Sequence, residues 1–495
     1  MTNFVDYLFE NSRLSSRPVL IGSDGVITYT SLYNTVNEVA SALFAEYGSG
    51  NPILLISENN YFFVASYLAI IKSGNTAVLV EPRIGRKDLA EIVKNCPLVA
   101  YFVQEKFLDL FEGSPVDTYT EKSLGSLARG VFEFPTPVHP KEDVAVIIFT
   151  SGSTGTKKGV MLTHKNLIAN TESILGYLHL TESDRVCVVL PFFYCYGASL
   201  LHTHIRAGGS MVLNNKIFLG SVINDINHYE CTGFAGVPST YQILVNRTPF
   251  LTEELPSLRY FTQAGGQLPN KYIRMIVDAF PQKEFFVMYG ATEATARLSY
   301  LPPHLVREKM GSIGMGIPGV TLEVLGSNGM PIKPGEVGEI TAMGDNIMKG
   351  YYNDPEATAV AIRDGRYYTG DLATVDEDGY IYVVGRSKNI IKSGGYRISP
   401  NEIEDLVLSL KEVSGCVVVG VPDDVMGEAV IAVVQPAGAG RDDVSTKIMS
   451  LCNTTLPSYK VPRGIEFIDD FPLNSSNKVD RNRLKAMIME RGPQG

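Results

Sequence analysis

Short, continuously apolar runs alternate along most of this chain with stretches in which apolar residues recur every three or four positions. VAVIIF (Val144 to Phe149), VCVVL (Val186 to Leu190), the segment Ser210 to Leu213, GFAGV, RYFTQ and FFVMY (ending at Tyr289) form one series. Between them lie helix-like segments, among them HKNLIANTESIL, for which Thr163 offers an N-cap, and ASLLHTHIRA. Strands without a polar face, separated by helices, predict a parallel sheet covered on both sides. PILLIS, a helical segment through Tyr67 and TAVLVE predict a second unit of the same kind nearer the N-terminus.

The texture changes after Gly311. VTLEVL, GEVGEITAM and YIYVVG are separated by Gly/Pro turns, which predicts an antiparallel, barrel-like piece. A further unit begins at Gly385. There Ser399-Pro400-Asn401-Glu402 reads as a capping box with Pro at the first helical position, ahead of EIEDLVLSL, and CVVVGV and AVIAVVQP read as strands. A chain of 495 residues exceeds what one core usually supports. The expected fold class is therefore α/β. Residues 1–385 form a large N-terminal domain of two α/β parallel-sheet subdomains plus a small β-barrel, and residues 386–495 form a smaller α+β C-terminal domain.

Composition narrows the possible functions. Hydrophobic residues make up 45% of the chain, which argues against long disorder. The net charge of −10 disfavours a nucleic-acid partner, although a local basic groove can still hold a nucleotide. None of the six cysteines forms a C-x-x-C pair and several sit in apolar runs, as expected of a reduced, cytoplasmic protein without a disulfide framework or zinc site. The N-terminal MTNFVDYLFENSR carries acids where a signal peptide needs lysines. The apolar stretch from Phe62 to Ile71 is too short to span a bilayer. The chain stops soon after Lys485, so no appended domain is expected.

Directly after the strand-like VAVIIF comes Thr150-Ser151-Gly152-Ser153-Thr154-Gly155-Thr156-Lys157-Lys158-Gly159. Glycines let such a loop curl so that its N–H groups converge, hydroxyls add donors, and Lys157 and Lys158 add positive charge. Together they suit a polyphosphate. The alternative is a flexible Ser/Gly loop. No Walker A pattern can be aligned here. Downstream, Tyr289-Gly290-Ala291-Thr292-Glu293 places a carboxylate just past a strand end, where it can neutralise a metal bridging phosphates, or it is simply a strand end with a helix cap at Thr292.

The loop at Thr150 resembles the phosphate-binding signature of the AMP-forming adenylating enzymes, a superfamily of acyl- and aryl-CoA synthetases, peptide-synthetase adenylation domains and luciferase. Lys157 stands where that family usually has Pro. Other signatures follow in family order to the end of the chain, closest in pattern to the acyl/aryl-CoA ligase branch. The resemblance implies ATP and Mg²⁺, with Thr150, Ser151, Gly152, Ser153, Thr154, Gly155 and Lys158 around the phosphates. By the same resemblance, Tyr289 and Gly290 lie against adenine, Thr292 touches the α-phosphate and Glu293 helps hold Mg²⁺. Gly265, Gly266 and Gln267 resemble the adenine-side loop. Asp371, in Tyr368-Thr369-Gly370-Asp371, is implied to hold the ribose hydroxyls, a task suited to a carboxylate. Arg386 is implied to contact the nucleotide. Lys388 is the implied hinge of a mobile small domain, and Gly394, Gly395 and Tyr396 serve the thiol step. Asn474-Ser-Ser-Asn477-Lys478 resembles the catalytic-lysine loop, with Asn477 in place of the usual Gly.

The family builds its acid pocket around Leu190 to Gly197. The expected lining is Phe192, Tyr194, Tyr196 and Gly197, with Val237, Tyr241 and Ala291 nearby; plain core packing is an equal alternative for Phe192 and Phe193. No Asp stands in this stretch to pair with an α-ammonium. A buried ammonium without a carboxylate is costly, so an acyl or aryl acid lacking an α-amino group is favoured. The expected acceptor is coenzyme A. The alternative is the phosphopantetheine arm of a carrier protein, because Tyr194 replaces the His common among CoA ligases. Two other patterns are set aside. Gly314-Met-Gly-Ile-Pro-Gly319 leads into a strand rather than a helix, so it is no dinucleotide fingerprint. His202 and His204 point apart on a helix.

Overall fold

The computed structural model describes residues 2–127, 138–151, 157–215, 220–386, 389–438, 440–473 and 478–491. The apolar runs become the central strands of two large sheets. One has nine strands in the order Met315–Gly316, Ser299–Leu301, Glu284–Tyr289, Tyr260–Gln263, Gly233–Gly236, Arg185–Val188, Ser210–Leu213, Pro18–Gly22 and Gly25–Thr28. It is parallel from Glu284–Tyr289 through Pro18–Gly22 and antiparallel at both ends.

The other has seven strands in the order Gly350–Tyr351, Lys157–Thr163, Val144–Ser151, Thr76–Leu79, Pro52–Ile56, Ala100–Val103 and Asp117–Tyr119. This corrects one sequence expectation. Val144–Ser151 does not continue the Arg185–Tyr289 series but pairs in parallel with Thr76–Leu79, Ala77 opposite Val146. Apolar periodicity marks a strand as buried and says nothing of its neighbour.

The largest core lies between these sheets. Helices Tyr29–Tyr47, Tyr61–Lys72, His164–Leu178 and Cys195–Ala207 fill it. Tyr61–Lys72 is buried on every side beyond Tyr61, which explains an apolar stretch with no polar face. Outer cores under Ser221–His228, Pro238–Arg247 and Asn270–Ala279, and under Arg86–Asn95, cover the far faces. Thr163 caps His164–Leu178 as expected, in a reciprocal box with Asn166.

The barrel-like piece is a five-stranded antiparallel sheet built on Arg366–Val375. Its last strand, Ile381–Arg386, leads into the small domain. There Tyr396–Ile398, Ile391–Ser393, Gly427–Pro436, Val413–Asp423 and Gly464–Phe467 form a sheet with helices on both faces. The expected capping box at Ser399 is not made. Pro400 does open helix Pro400–Leu408, but Ser399 Oγ donates to the Val384 carbonyl and Glu402 pairs with Lys460. The serine ties the domain junction instead of the helix end. Among the described residues no helix is long and apolar enough to cross a membrane.

Three histidines are locked in the central core. His164 Nδ1 accepts from the Phe4 N–H at 3.1 Å, His202 Nε2 meets the Tyr67 hydroxyl at 2.9 Å, and His204 Nδ1 meets the Leu200 carbonyl at 2.9 Å. Burial pulls their pKa values from 6.5 down to about 4, about 3 and about 4. Between pH 6.5 and 4 the unfolded chain therefore binds protons that the fold refuses. Their contribution to stability is full above pH 6.5 and is lost as pH falls toward 4, at up to ~1.4 kcal/mol per pH unit for each histidine. Urea unfolding at pH 7, 6 and 5 should show this steep decline, and a flat profile would contradict it.

Candidate active site

The carboxyl ends of parallel strands are where open α/β sheets gather ligands, and the signature residues collect there. Strand Glu284–Tyr289 ends at Tyr289, and the chain folds back at once. A Cβ on Gly290 would lie 1.8 Å from the Ala296 carbonyl oxygen, so only glycine permits the return. The tight turn Thr292–Ala294 is fixed by the Met348 N–H donating to the Glu293 carbonyl at 2.8 Å. Tyr351 donates its hydroxyl to Glu293 Oε1 at 2.9 Å, and Lys158 Nζ stands 4.9 Å over the Tyr351 ring. Lys158, Tyr351 and Glu293 thus form one continuous wall.

Opposite them, Asp371 and Arg386 are cross-strand partners in the antiparallel sheet. Arg386 Nε lies 2.8 Å from Asp371 Oδ1, and the Tyr289 hydroxyl donates to Asp371 Oδ2 at 2.6 Å. Burial and the neighbouring Asp371 carboxylate push the Tyr289 phenol well above its usual value, and Asp371 raises the Arg386 guanidinium. The ring is therefore a neutral donor and the arginine a fixed cation.

Lys478 enters this cleft from the small domain. Its ammonium lies 5.6 Å over the half-buried Tyr194 ring. A Cβ on Gly265 would come within 3.1 Å of Lys478 Cε and 3.2 Å of Val237 Cγ1, so the three side by side leave no room for a side chain. Burial lowers the Lys478 pKa, Cys195 raises it, Arg386 lowers it, and Asp371 and Glu293 raise it. Polar contacts hold the small domain in this position. Asn401 Nδ2 donates to Gln267 Oε1 at 2.8 Å, and Lys271 Nζ donates to the Val413 carbonyl at 2.9 Å.

Thr292, Glu293, Tyr289, Gly290, Ala291, Asp371, Arg386, Gly265, Val237, Tyr194, Lys158 and Lys478 are thus brought to one cleft. Others are placed differently. Gln267 is engaged with Asn401 and Asp405 of the small domain, and Gly266 accepts from Gln263 Nε2 at 2.7 Å. Lys157 is taken up by Glu81 at 3.0 Å and Asp88 at 3.4 Å, so the charge expected beside Lys158 is already spent. Phe192 is fully buried 5.8 Å from Phe63 and takes the packing role weighed for it. Tyr241 sits in the outer core against Phe234 and Phe285, and meets Tyr196 only through Thr262, whose carbonyl both hydroxyls share. Gly197 packs so closely that a Cβ would meet the Pro191 carbonyl oxygen at 2.0 Å. Gly394, Gly395 and Tyr396 turn toward Met426 and Tyr459, with Tyr396 stacked on Tyr459 at 4.0 Å. Gly152, Ser153, Thr154, Gly155, Lys388 and Asn477 lie outside the described residues, and Ser151 is described in its backbone alone.

Sequence reasoning missed Tyr351, Cys195, whose Sγ accepts from Thr292 Oγ1 at 3.5 Å, and Arg297. An arginine inside the otherwise apolar ATARLSYL was the one available signal. A cavity of about 420 Å³ lined by Asp24, Glu58, Tyr61 and Glu121 lies apart from these residues. Its carboxylates already accept from Tyr61, Lys106 and Glu105.

Comparison with known proteins identifies the family. The AMP-binding enzyme family matches residues 10–352 and the AMP-binding enzyme C-terminal domain matches residues 402–478. The chain belongs to this family of AMP-forming adenylating enzymes, on its acyl/aryl-CoA ligase branch. It is 32% identical over 481 residues to a feruloyl-CoA synthase from Amycolatopsis, covering 96% of each chain. Among solved structures it resembles ATP-bound MatB from Rhodopseudomonas palustris, with a TM-score of 0.89, 27% identity and 98% of each chain covered. It also resembles the o-succinylbenzoate coenzyme A synthetase of Bacillus subtilis in complex with ATP and magnesium ion. That likeness has a TM-score of 0.86 and 26% identity, and covers 98% of this chain and 99% of that one.

Asp371 anchors the cleft and has two oxygens to offer. Asp371→Asn should raise the KM for ATP by about 10- to 100-fold, the equivalent of roughly 1.5–3 kcal/mol for charge-assisted hydrogen bonds. Steady-state pyrophosphate release against ATP concentration measures it; an unchanged KM would remove Asp371 from nucleotide binding.

Proposed function

We propose that this chain is an ATP-dependent, AMP-forming ligase that joins a carboxylic acid without an α-amino group to coenzyme A through an acyl-adenylate. The observation that carries this reading is Lys478 of the small domain lying in the same cleft as Thr292, Glu293, Asp371 and Arg386 of the large one.

In the first step a carboxylate oxygen of the acid attacks the α-phosphorus of ATP and pyrophosphate leaves. Both reactants are anions, so the barrier lies in bringing like charges together. Lys478 is placed to offset that charge from one side, and Lys158 and Arg386 line the same cleft. Thr292 donates toward the reacting phosphate, and Asp371 accepts from the ribose hydroxyls while Tyr289 holds its second oxygen. Among the described residues no cluster of three or more His, Cys, Asp or Glu side chains could hold a metal by itself. That suits Mg²⁺, which commonly takes one or two carboxylates plus substrate phosphates, with Glu293 as the protein ligand. When bound, the ion adds further neutralisation of the phosphate charge.

In the second step the thiol sulfur attacks the acyl carbonyl, AMP leaves and the thiol proton is lost to solvent. Lys478 lies over Tyr194, and the Gly394–Tyr396 turn faces its own domain. The arrangement described here therefore serves adenylation, and rotation of the small domain about Lys388 serves thioester formation. A cytoplasmic location goes with this reading; among the described residues no cysteine is in a disulfide.

Lys478→Ala should slow acyl-adenylate formation by about 100- to 1,000-fold, the scale of one lost electrostatic contact at a transition state. Thioester formation from supplied acyl-adenylate should stay within a few-fold of the parent enzyme. Equal loss in both half-reactions would overturn the assignment. Running the second half-reaction with coenzyme A and with a holo-carrier protein identifies the acceptor; faster transfer to the carrier would replace coenzyme A in this reading.

A further inference from the structure

Arg297 follows the Tyr289–Glu293 signature by four residues and is only 3% exposed. Its guanidinium carbon lies 4.0 Å from the centroid of the Tyr196 ring. Its hydrogen-bond partners are poor. Nε reaches Met288 Sδ at 3.3 Å, one terminal nitrogen reaches the Ala296 carbonyl at 3.4 Å, and the other reaches Ser199 Oγ at 3.5 Å. Its five N–H donors thus have one sulfur, the Ser199 and Tyr177 hydroxyls and one adjacent carbonyl. Among the described residues no carboxylate lies within 4.0 Å of it.

Other arginines of this chain behave differently. Arg366 has Glu323 at 2.6 Å, Arg481 has Glu404 at 2.8 Å, Arg386 has Asp371 at 2.8 Å and Arg259 has Asp184 at 3.0 Å. All four are more exposed than Arg297. A guanidinium stays charged at every accessible pH, and a buried charge without a counter-charge is strongly disfavoured. The most deeply buried of the five lacks what the others have.

Its position says what supplies the counter-charge. Tyr196 and Ser199 belong to the first turns of helix Cys195–Ala207, and Cys195 of the same helix touches Thr292. Met288 immediately precedes Tyr289. The Arg297 backbone is packed on Gly290, where a Cβ would lie 2.9 Å from Arg297 Cα. The cation therefore sits beside Tyr196 and Ser199, on the first turns of the helix whose Cys195 touches Thr292, next to the residues expected to line the acid pocket.

We infer that Arg297 is the counter-charge for a second acidic group on the substrate, so that the acid is a dicarboxylic acid activated at the end remote from Arg297. This rests on the ligase reading and sharpens it.

The test compares matched pairs of acids over a range of chain lengths and aromatic spacers: each dicarboxylic acid against its monoamide and its monomethyl ester. Pyrophosphate release with Mg²⁺-ATP is the readout. For the best pair, kcat/KM of the diacid should exceed that of its neutral counterpart by about 100-fold or more, because a site built for a polar partner is left unsatisfied without it. Arg297→Leu should collapse that ratio by about 100-fold or more, and Arg297→Lys should restore part of it. The wild-type comparison stands even where a variant folds poorly. A neutral counterpart preferred in every pair, or a ratio unmoved by Arg297→Leu, overturns the role of Arg297 and leaves the ligase reading standing. No pyrophosphate release with any acid overturns both.

Discussion

The carboxylate of Asp371 is the constraint on which the cleft depends. It is nearly buried, it accepts from the Tyr289 hydroxyl on one oxygen, and it pairs with Arg386 through the other. Those contacts join the carboxyl end of strand Glu284–Tyr289 to the antiparallel sheet, on the strand Ile381–Arg386 that leads into the small domain. An ionised group held this way fixes the relative positions of three pieces of chain, because separating them would leave a buried charge without its partners. Nucleotide binding and domain attachment are thereby made the same problem.

Around that anchor the chain distributes positive charge against its own acidic balance. The protein carries a net charge of −10, yet the cleft gathers Lys158, Arg386 and Lys478. Lys157, one residue from Lys158, points to Glu81 and Asp88 instead. Adjacent strand residues face opposite sides of a sheet, so two neighbouring lysines are given to two different tasks. The substrates of an adenylating enzyme are anions that repel one another. A few cations in a shielded cleft act more strongly on them than the same charges would on an open surface.

The small domain holds its place through polar contacts. Ser399, Asn401, Asp405 and Lys271 contribute hydrogen bonds across the junction, Arg247 pairs with Asp470, and Tyr272 donates its hydroxyl to the Ser414 carbonyl. A polar junction of this kind suits a domain that leaves and returns, since each bond is readily exchanged for one with water. Lys478 and the glycine turn Gly394–Gly395 lie on different parts of the same unit.

The sequence by itself determined the elements and the chemistry. Buried strands were legible because a parallel sheet covered on both faces leaves no polar side to write. The cap at Thr163 was legible because local backbone geometry restricts which residues can stand there. Ordered motifs pointed to Lys478, Glu293 and Asp371, and the fold brings the three near one another. What only the tertiary structure decided is who meets whom. Val144–Ser151 joined the seven-stranded sheet, Ser399 turned from its helix to Val384, Phe192 and Tyr241 went into cores, and Arg297 was left buried without a carboxylate. Each of these is a contact between residues far apart in the chain or a burial that no local pattern encodes. Periodicity reports how a segment faces its surroundings, and partner choice depends on packing that exists only once the whole chain has closed.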